Sequence, residues 1–370
     1  MLTFYNRDPV RILVVRPDRV GDVVLSTPVY HTLKKSFEDC FVGALVSSYT
    51  KPLLEGNPNI DAIITDDPQG NGPGGDDFRR KIKEIRSYNF DVALLLLPTK
   101  RLAYMLFLAG IPYRLGVGHI LYEVITFMYG VSRHKYNPLR HESEYMLDLA
   151  KKIGARDVWT RPEIFLNEEE IHAAREYLSN KGFDPGKSIV CIHPGSGHSS
   201  PNWEVGRYAE LAERFIQTGR QVLVTGSEGE KEYEKNFADF GAGVKTAFGE
   251  LSLRELAAVL TNMSVFISSS TGPMHIAAAV GTPTVSMFCP LTACSPKLWG
   301  PLGSSSKIIL PPDRFCATMC PGDPHLCTFE AGGDGIEVET VFGAAREMLH
   351  DSEALHSKES SHGNSPSYRE

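Results

Sequence analysis

The chain has 370 residues, enough for two α/β domains of ordinary size, and its 42% hydrophobic and 22% charged content is globular rather than disordered or fibrous. A formal net charge of -7 with no Lys/Arg-rich block argues against nucleic acid as a partner. No apolar run approaches the roughly 18 residues of a membrane-spanning helix. The stretch Met1 to Pro9 has no signal core, and the seven cysteines are an odd number spread widely, so a cytoplasmic chain in a reducing compartment is expected.

In chain order, Arg11 to Arg16 reads as a β-branched strand, followed after a Pro/Gly turn by a helix from about Asp22 to Phe37. A strand at Phe41 to Val46, a helix at about Thr50 to Asn57 and a strand at Ala62 to Thr65 follow. The Gly-, Pro- and Asp-rich run Asp66 to Asp77 is expected to be an exposed loop, before a charged helix Phe78 to Ser87 and the buried strand Asp91 to Leu97. The alternation then restarts: helix Glu168 to Lys181, strand Ser188 to His193, helix Val205 to Thr218, strand Gln221 to Thr225 and helix Glu228 to Phe240. Helix Leu253 to Thr261, strand Val265 to Ser268, helix Met274 to Val280 and strand Thr284 to Phe288 complete it. Apolar runs between amphipathic stretches mark parallel sheets covered on both faces. The expected organisation is one domain over residues 1–165, a second over 166–336, a closing helix at 337–350 and a disordered tail at 351–370, with the boundary near Pro162.

Four clusters could carry chemistry. Gly21-Asp22 lies where the first strand hands over to its helix, the edge at which open α/β sheets bind ligands. There Asp22 is either a helix cap or a general base for an attacking hydroxyl. The second is His193-Pro-Gly-Ser196-Gly197-His198-Ser199-Ser200 with Trp203. It suits an anion held by backbone N–H groups or is simply a Gly-rich connector, and Trp203 reads as a packing residue. The third, Ser268 to Ala279, is the strongest: Thr271-Gly272 closes a strand, Pro273 suits the first helical turn, and Ala277, Ala278 and Ala279 allow close packing. Ser270, Thr271, Gly272 and the helix start could cradle a diphosphate, with His275 one turn in. The fourth, Cys316-x3-Cys320-x6-Cys327, could bind zinc or iron–sulfur only with a fourth ligand, for which His325 is the nearest choice. This is an incomplete set, and no metal or other cofactor is expected.

In this order and spacing the first three clusters resemble glycosyltransferase family 9, the bacterial heptosyltransferases of lipopolysaccharide core assembly, from about Arg11 to Leu349. The resemblance is carried by Val20-Gly21-Asp22 through Pro28, His193 through Ser196 with Trp203, and Ser270 through Ala279 followed by Gly281-Thr-Pro283 and Trp299-Gly-Pro301. It implies a GT-B architecture, with two Rossmann-like doubly wound domains facing a cleft, the first for the acceptor and the second for the nucleotide-sugar donor. It further implies inverting, metal-independent transfer from an ADP-activated sugar, usually a heptose, to an anionic lipid-linked saccharide, with peripheral contact at the inner face of the cytoplasmic membrane. On that reading Asp22 is the base, and Ser196, Gly197, Ser199, Ser270, Thr271, Gly272 and His275 hold the donor. Glu230 contacts its nucleoside, and Lys100, Arg101 and Arg114 meet the acceptor.

Two positions depart from the family pattern. A Lys commonly stands two residues before the Trp, where this chain has Pro201, and an acidic residue precedes Thr-Gly, where it has Ser270. Two other readings are a GT-B nucleotide-sugar epimerase or hydrolase and a catalytically weak nucleotide-sugar-binding protein. An NAD-linked Rossmann enzyme ranks below them, because no G-x-G-x-x-G turn follows the first strand.

Overall fold

A computed structural model of the chain describes residues 10–67, 75–117, 120–133, 137–156, 158–197, 200–303, 305–323, 326–329 and 335–362. It divides into two compact units, one of residues 1–167 with 297–303, the other of residues 168–296 with 304–370.

In the first unit the elements are β1 (Arg11–Val15), α1 (Val20–Ser36), β2 (Phe41–Val46), β3 (Ala62–Thr65), α2 (Gly75–Ser87), β4 (Val92–Leu95) and α3 (Lys100–Leu108). They continue with β5 (Tyr113–Gly116), α4 (Leu121–Ile125), β6 (Tyr129–Gly130) and α5 (Glu142–Lys152). The strands form one parallel sheet in the order β3-β2-β1-β4-β5-β6. Alternation along β1 sends Ile12 and Val14 into one core with Val23, Leu33, Met146 and Leu149 of α1 and α5. Leu13 and Val15 enter the opposite core with Ile82 and Ile85 of α2 and Leu102 and Leu106 of α3. Burial on both faces is why β1 and β4 read as unbroken apolar runs.

The second unit repeats the plan with α6 (Glu168–Asn180), β7 (Ile189–His193), α7 (Val205–Gln217), β8 (Gln221–Gly226), a 3₁₀ segment (Glu228–Gly243), β9 (Val244–Phe248) and α8 (Leu253–Leu260). It continues with β10 (Val265–Ser269), α9 (Gly272–Ala279), β11 (Thr284–Met287), β12 (Ser306–Ile309), α11 (Asp313–Met319) and α12 (Val338–His362), while the short α10 (Pro296–Trp299) between β11 and β12 crosses into the first unit at Lys297. Its parallel sheet runs β12-β11-β10-β7-β8-β9. Renumbered within the unit, that is the same 3-2-1-4-5-6 order as the first, the order of the dinucleotide-binding Rossmann sheet. The chain thus folds as two Rossmann-like doubly wound units.

Several local expectations are corrected. Thr50 to Asn57 is not a helix beyond a 3₁₀ turn at Lys51–Leu53, and Gly56 turns the chain away at φ 75°. Glu228 to Phe240 is 3₁₀ rather than α, running on to Gly243 with non-helical Gly241 inside it. Asp66 is not a loop residue in solvent: it is buried under Arg101, while Gly75, Asp76 and Asp77 already belong to α2. The closing helix does not stop at residue 350 but runs to His362, through a stretch supplied with the helix formers Glu, Ala, Leu and Lys.

Candidate functional site

In each sheet the strand order reverses between the first and fourth strands, β1/β4 in one unit and β7/β10 in the other. The crevice at the carboxyl ends of such strands is where doubly wound sheets bind ligands. The first three of the four predicted clusters lie there.

At the β1/β4 end, Arg16 bridges the two strands. Its Nη1 donates to the Leu96 carbonyl at 2.8 Å, its Nη2 pairs with Asp22 Oδ1, and its Nε lies 3.0 Å from Asp18 Oδ1. Glu142, in the first turn of α5, comes within 3.8 Å of Arg16 Nη2 and accepts from Arg133 Nη1 at 3.0 and 3.1 Å. Two guanidinium groups thus face three carboxylates in a largely buried knot, which carries an excess negative charge if every acid is ionised. Burial pushes Asp18 up to about 7 against the pull of Arg16, with repulsion from Asp22 and Glu142 adding to the rise. Burial also raises Glu142, opposed by Arg133 and Arg16. Burial and mutual repulsion thus push both Asp18 and Glu142 toward their protonated forms.

Asp22 is not the helix cap. The N-cap of α1 is Arg19, which makes no side-chain cap bond, and Asp22 sits in the first turn, where a carboxylate suits the helix dipole. Arg16 anchors Oδ1. Among the described residues Oδ2 makes no hydrogen bond, and the side chain is 13% exposed. One oxygen is fixed and the other is accessible, the arrangement a general base requires. Further along α1, Pro28 cannot donate to the Val24 carbonyl, and the Thr27 hydroxyl does so instead at 2.8 Å, which keeps the helix intact.

At the β7/β10 end, the two predicted loops are fastened to one another. Trp203 N–H donates to Ser269 Oγ at 3.1 Å, Ser269 N–H donates to the Tyr208 hydroxyl at 2.9 Å, and Ser200 Oγ donates to the Ser270 carbonyl. Trp203 is fully buried, edge-on to Tyr208 with centroids 5.1 Å apart, and its indole N–H donates to the Ile336 carbonyl at 3.1 Å, which makes it the packing residue expected. Thr271 is the N-cap of α9 in extended conformation, yet its hydroxyl makes no capping bond. The helix start therefore presents the Gly272 and Met274 N–H groups with Thr271, and His275 is buried one turn in. Ser196 Oγ donates to the Ser200 carbonyl at 3.3 Å, and Gly197 turns the loop at φ 53°. His198 and Ser199 lie outside the described residues.

Glu230 closes this end from β8. It accepts from the Ser227 N–H and hydroxyl, each at 2.8 Å, as part of a capping box, and its Oε2 is 4.0 Å from His193 Nε2. Burial alone would raise it, but His193, Ser227 and the Gly197 N–H together hold it below the usual carboxylate range. Burial lowers His193 in turn, partly offset by Glu230. Gly195 is required here: a Cβ would stand 1.8 Å from Glu230 Oε1. Composition alone marks such a glycine only as part of a connector.

The sequence matches Glycosyltransferase family 9 (heptosyltransferase) over residues 78–319. The chain belongs to that family. It is 27% identical over 315 residues to a putative glycosyltransferase of Haemophilus influenzae, covering 83% of this chain and 89% of that one. A family 9 glycosyltransferase from Veillonella parvula superposes with TM-score 0.80 at 23% identity, over 93% of this chain and 98% of the other. The E. coli ADP-heptose lipopolysaccharide heptosyltransferase II superposes with TM-score 0.72 at 21% identity, over 93% and 100%. The chain is a glycosyltransferase, and these structural likenesses bear on its fold.

The three cations expected to meet an acceptor in this glycosyltransferase have different surroundings. Arg101 is buried, its Nε and Nη2 bound to Asp66 at 3.1 and 2.9 Å, with Asp77 at 3.3 Å and the Phe78 ring beneath it. Arg114 is buried and donates to the carbonyls of Ile111, Pro112 and Thr126, tying β5 to α4. Burial lowers its pKa. Both guanidiniums are occupied within the unit, whereas Lys100 is exposed at the start of α3. Sequence reasoning placed Asp18 in the first cluster, Arg16 through Val24, without a role, and missed Glu142 and Arg133. Glu142 comes from a helix far along the chain, and its only local signal was the acidic start Glu142-Ser-Glu144. The sequence-predicted thiols Cys316, Cys320 and Cys327 line a cavity of the second unit together with Cys289.

Proposed function

We propose that the enzyme moves a heptose from an ADP-activated donor to a lipopolysaccharide-core-type saccharide, with inversion and without a catalytic metal. The observation that carries this reading is the α9 start at the switch point of a family 9 chain, where the Thr271 hydroxyl makes no capping bond among the described residues, beside the Ser196-Gly197 turn that Ser196 ties to the Ser200 carbonyl. Such a start suits a diphosphate. The donor assignment follows the E. coli ADP-heptose heptosyltransferase II, to which the chain is similar.

Asp22 takes the proton of the acceptor hydroxyl as that oxygen attacks the anomeric carbon. The bond from that carbon to the β-phosphate oxygen breaks on the opposite face, and ADP leaves with the electron pair. Thr271, Gly272 and His275, with Ser196, Gly197, Ser199 and Ser270, stabilise the charge that grows on the diphosphate, a contribution that is larger in the transition state than in the ground state. Glu230, held ionised, accepts from the donor nucleoside. Lys100 meets the anionic acceptor, and Arg101 and Arg114 shape the wall behind it.

The exposed apolar side chains of α4 and the segment after it, Leu121 (74% exposed), Val124, Ile125 and Phe127 (73%), support peripheral contact with the inner face of the cytoplasmic membrane. No helix of the described residues is long and apolar enough to cross a membrane.

The test is transfer from ADP-heptose to a heptose-deficient core acceptor, with UDP- and GDP-sugars as controls. Asp22→Asn is expected to lower kcat by at least about a hundredfold with donor affinity kept. Turnover within twofold of the parent would remove Asp22 as the base, and failure of every ADP-sugar to bind would end the donor assignment.

A further inference from the structure

Three of the seven cysteines are close in sequence, and the structure brings a fourth to them. Cys316 and Cys320 are one helical turn apart at the end of α11 (Asp313–Met319), so they share a face. Cys327 lies beyond the helix, seven residues further along the chain. Cys289 arrives from elsewhere, two residues past the end of β11. All four line a single cavity of about 50 Å³, backed by Phe315 and Phe329 and bordered by Asp323. None is in a disulfide.

The thiols also act on one another electrostatically: Cys289 with Cys294, Cys327 and Cys316, and Cys320 with both Cys316 and Cys327, although Cys294 does not line the cavity. Four thiols converging on one small space, none oxidised and most of them half-buried or deeper, are more than an apolar core needs. Leu or Val would fill the same volume without a polarisable, oxidisable group.

We propose that Cys289, Cys316, Cys320 and Cys327 form a four-thiolate site for a thiophilic d-block cation, zinc or iron. Cys289 supplies the ligand that the sequence spacing lacks, in place of His325, which lies outside the described residues. Four thiolates in a tetrahedral arrangement are the donor set of structural zinc and of mononuclear iron. Binding releases the four thiol protons to solvent and involves no electron transfer. As placed, no three His, Cys, Asp or Glu groups among the described residues are already arranged to hold an ion. Loading therefore draws the end of α11 and Cys327 inward onto Cys289.

The role is structural, and it reaches the donor side. The Cys327 carbonyl accepts from Asn202 N–H at 3.3 Å, and Asn202 Nδ2 donates to the Pro194 carbonyl at 2.6 Å. A cation that fixes Cys327 would steady the Pro194 to Trp203 loop whether or not the donor assigned above is correct.

The experiment uses the full chain, expressed with added zinc or added iron and purified under reducing conditions without chelator. Inductively coupled plasma mass spectrometry is expected to find about one metal per chain, colourless with zinc and visibly absorbing with iron. Cys289→Ser and Cys320→Ser should each retain less than about a tenth of that metal, whereas Cys294→Ser, whose thiol does not line the cavity, should retain it. Titration of the reduced parent with Co(II) is expected to give thiolate charge-transfer and tetrahedral ligand-field bands, a readout independent of whether any variant folds. Background metal in both preparations together with no cobalt–thiolate bands would overturn the proposal, as would full metal retention by Cys289→Ser.

Discussion

Arg101 and Lys100 are adjacent, but the structure assigns them different work, and substituting each in turn separates the roles. Arg101→Met takes the cation from Asp66, whose side chain is 0% exposed against 8% for Arg101. Two guanidinium–carboxylate bonds, at 2.9 and 3.1 Å, are lost. The third, to half-exposed Asp77 at 3.3 Å, adds little because solvent screens it. Removing one partner of such a buried pair leaves an uncompensated charge and costs about 3–5 kcal/mol. Methionine keeps an unbranched stem over Phe78, so most of the loss is electrostatic. Adding Asp66→Asn removes the orphaned charge, and the double variant is expected to recover at least about half of the deficit. Urea unfolding by circular dichroism reads both, with the transitions of the two units fitted separately because the chain need not unfold in one step. Lys100→Ala should shift stability by less than about 0.5 kcal/mol while raising the KM for the acceptor. A loss below about 1 kcal/mol for Arg101→Met, combined with a raised acceptor KM, would refute the assignment and return Arg101 to the acceptor surface.

Two further outcomes follow from the strand ends. Asp18 has a folded pKa of about 7 against an ordinary value of 3.8, so the folded state binds more protons between those values. Its contribution to stability is therefore full below about pH 4 and is lost as pH rises through 7, an effect of order 2–4 kcal/mol. Asp18→Asn should flatten that part of the profile, seen as urea midpoints at pH 5 and 8.5 that converge relative to the parent; an unchanged slope would show that Asp18 titrates normally. Gly195→Ala places a methyl group 1.8 Å from the present position of Glu230 Oε1 and must displace that carboxylate. The KM for the donor is expected to rise about tenfold with a smaller change in kcat, and equal KM values would mean that Glu230 does not touch the donor.

Much of the sheet architecture was legible because strands buried on both faces, such as Ile12-Leu-Val-Val15, cannot be confused with amphipathic helices. The turns at Gly21-Asp22 and Thr271-Gly272 were legible for a related reason: small and acidic residues between an apolar run and a helix have few other uses. What could not be read was pairing across distance. Asp66 sits in a stretch whose composition says loop, yet its burial is decided by Arg101 on another element. Glu142 joins the Asp22 knot only because α5 packs on α1 beside β1. Cys289 shows the same limit, since spacing can count Cys316, Cys320 and Cys327 but cannot see a strand end arriving from upstream. Local chemistry sets the turns, and tertiary packing chooses the partners.

The neutral residues at 201 and 270 are best understood together. Where the family resemblance sets a cation at the first position and an acid at the second, this chain has the neutral Pro201 and Ser270. The two segments touch, through the Ser200 hydroxyl on the Ser270 carbonyl and through Trp203 N–H on Ser269. Pro201 is buried and Ser270 half-buried. A lysine placed alone at 201 would bury an ammonium without a partner, which costs several kcal/mol or forces it neutral. An aspartate alone at 270 would sit beside the proposed diphosphate and repel it. Installed together, each offers the other a counter-charge, so Pro201→Lys and Ser270→Asp should couple by about 1–3 kcal/mol in stability and improve donor affinity over either single variant. Thermal unfolding and calorimetric titration with ADP-heptose measure the cycle. Additivity within about 0.5 kcal/mol would mean that the two replacements are independent and that neutrality at 201 is compensated elsewhere in the pocket.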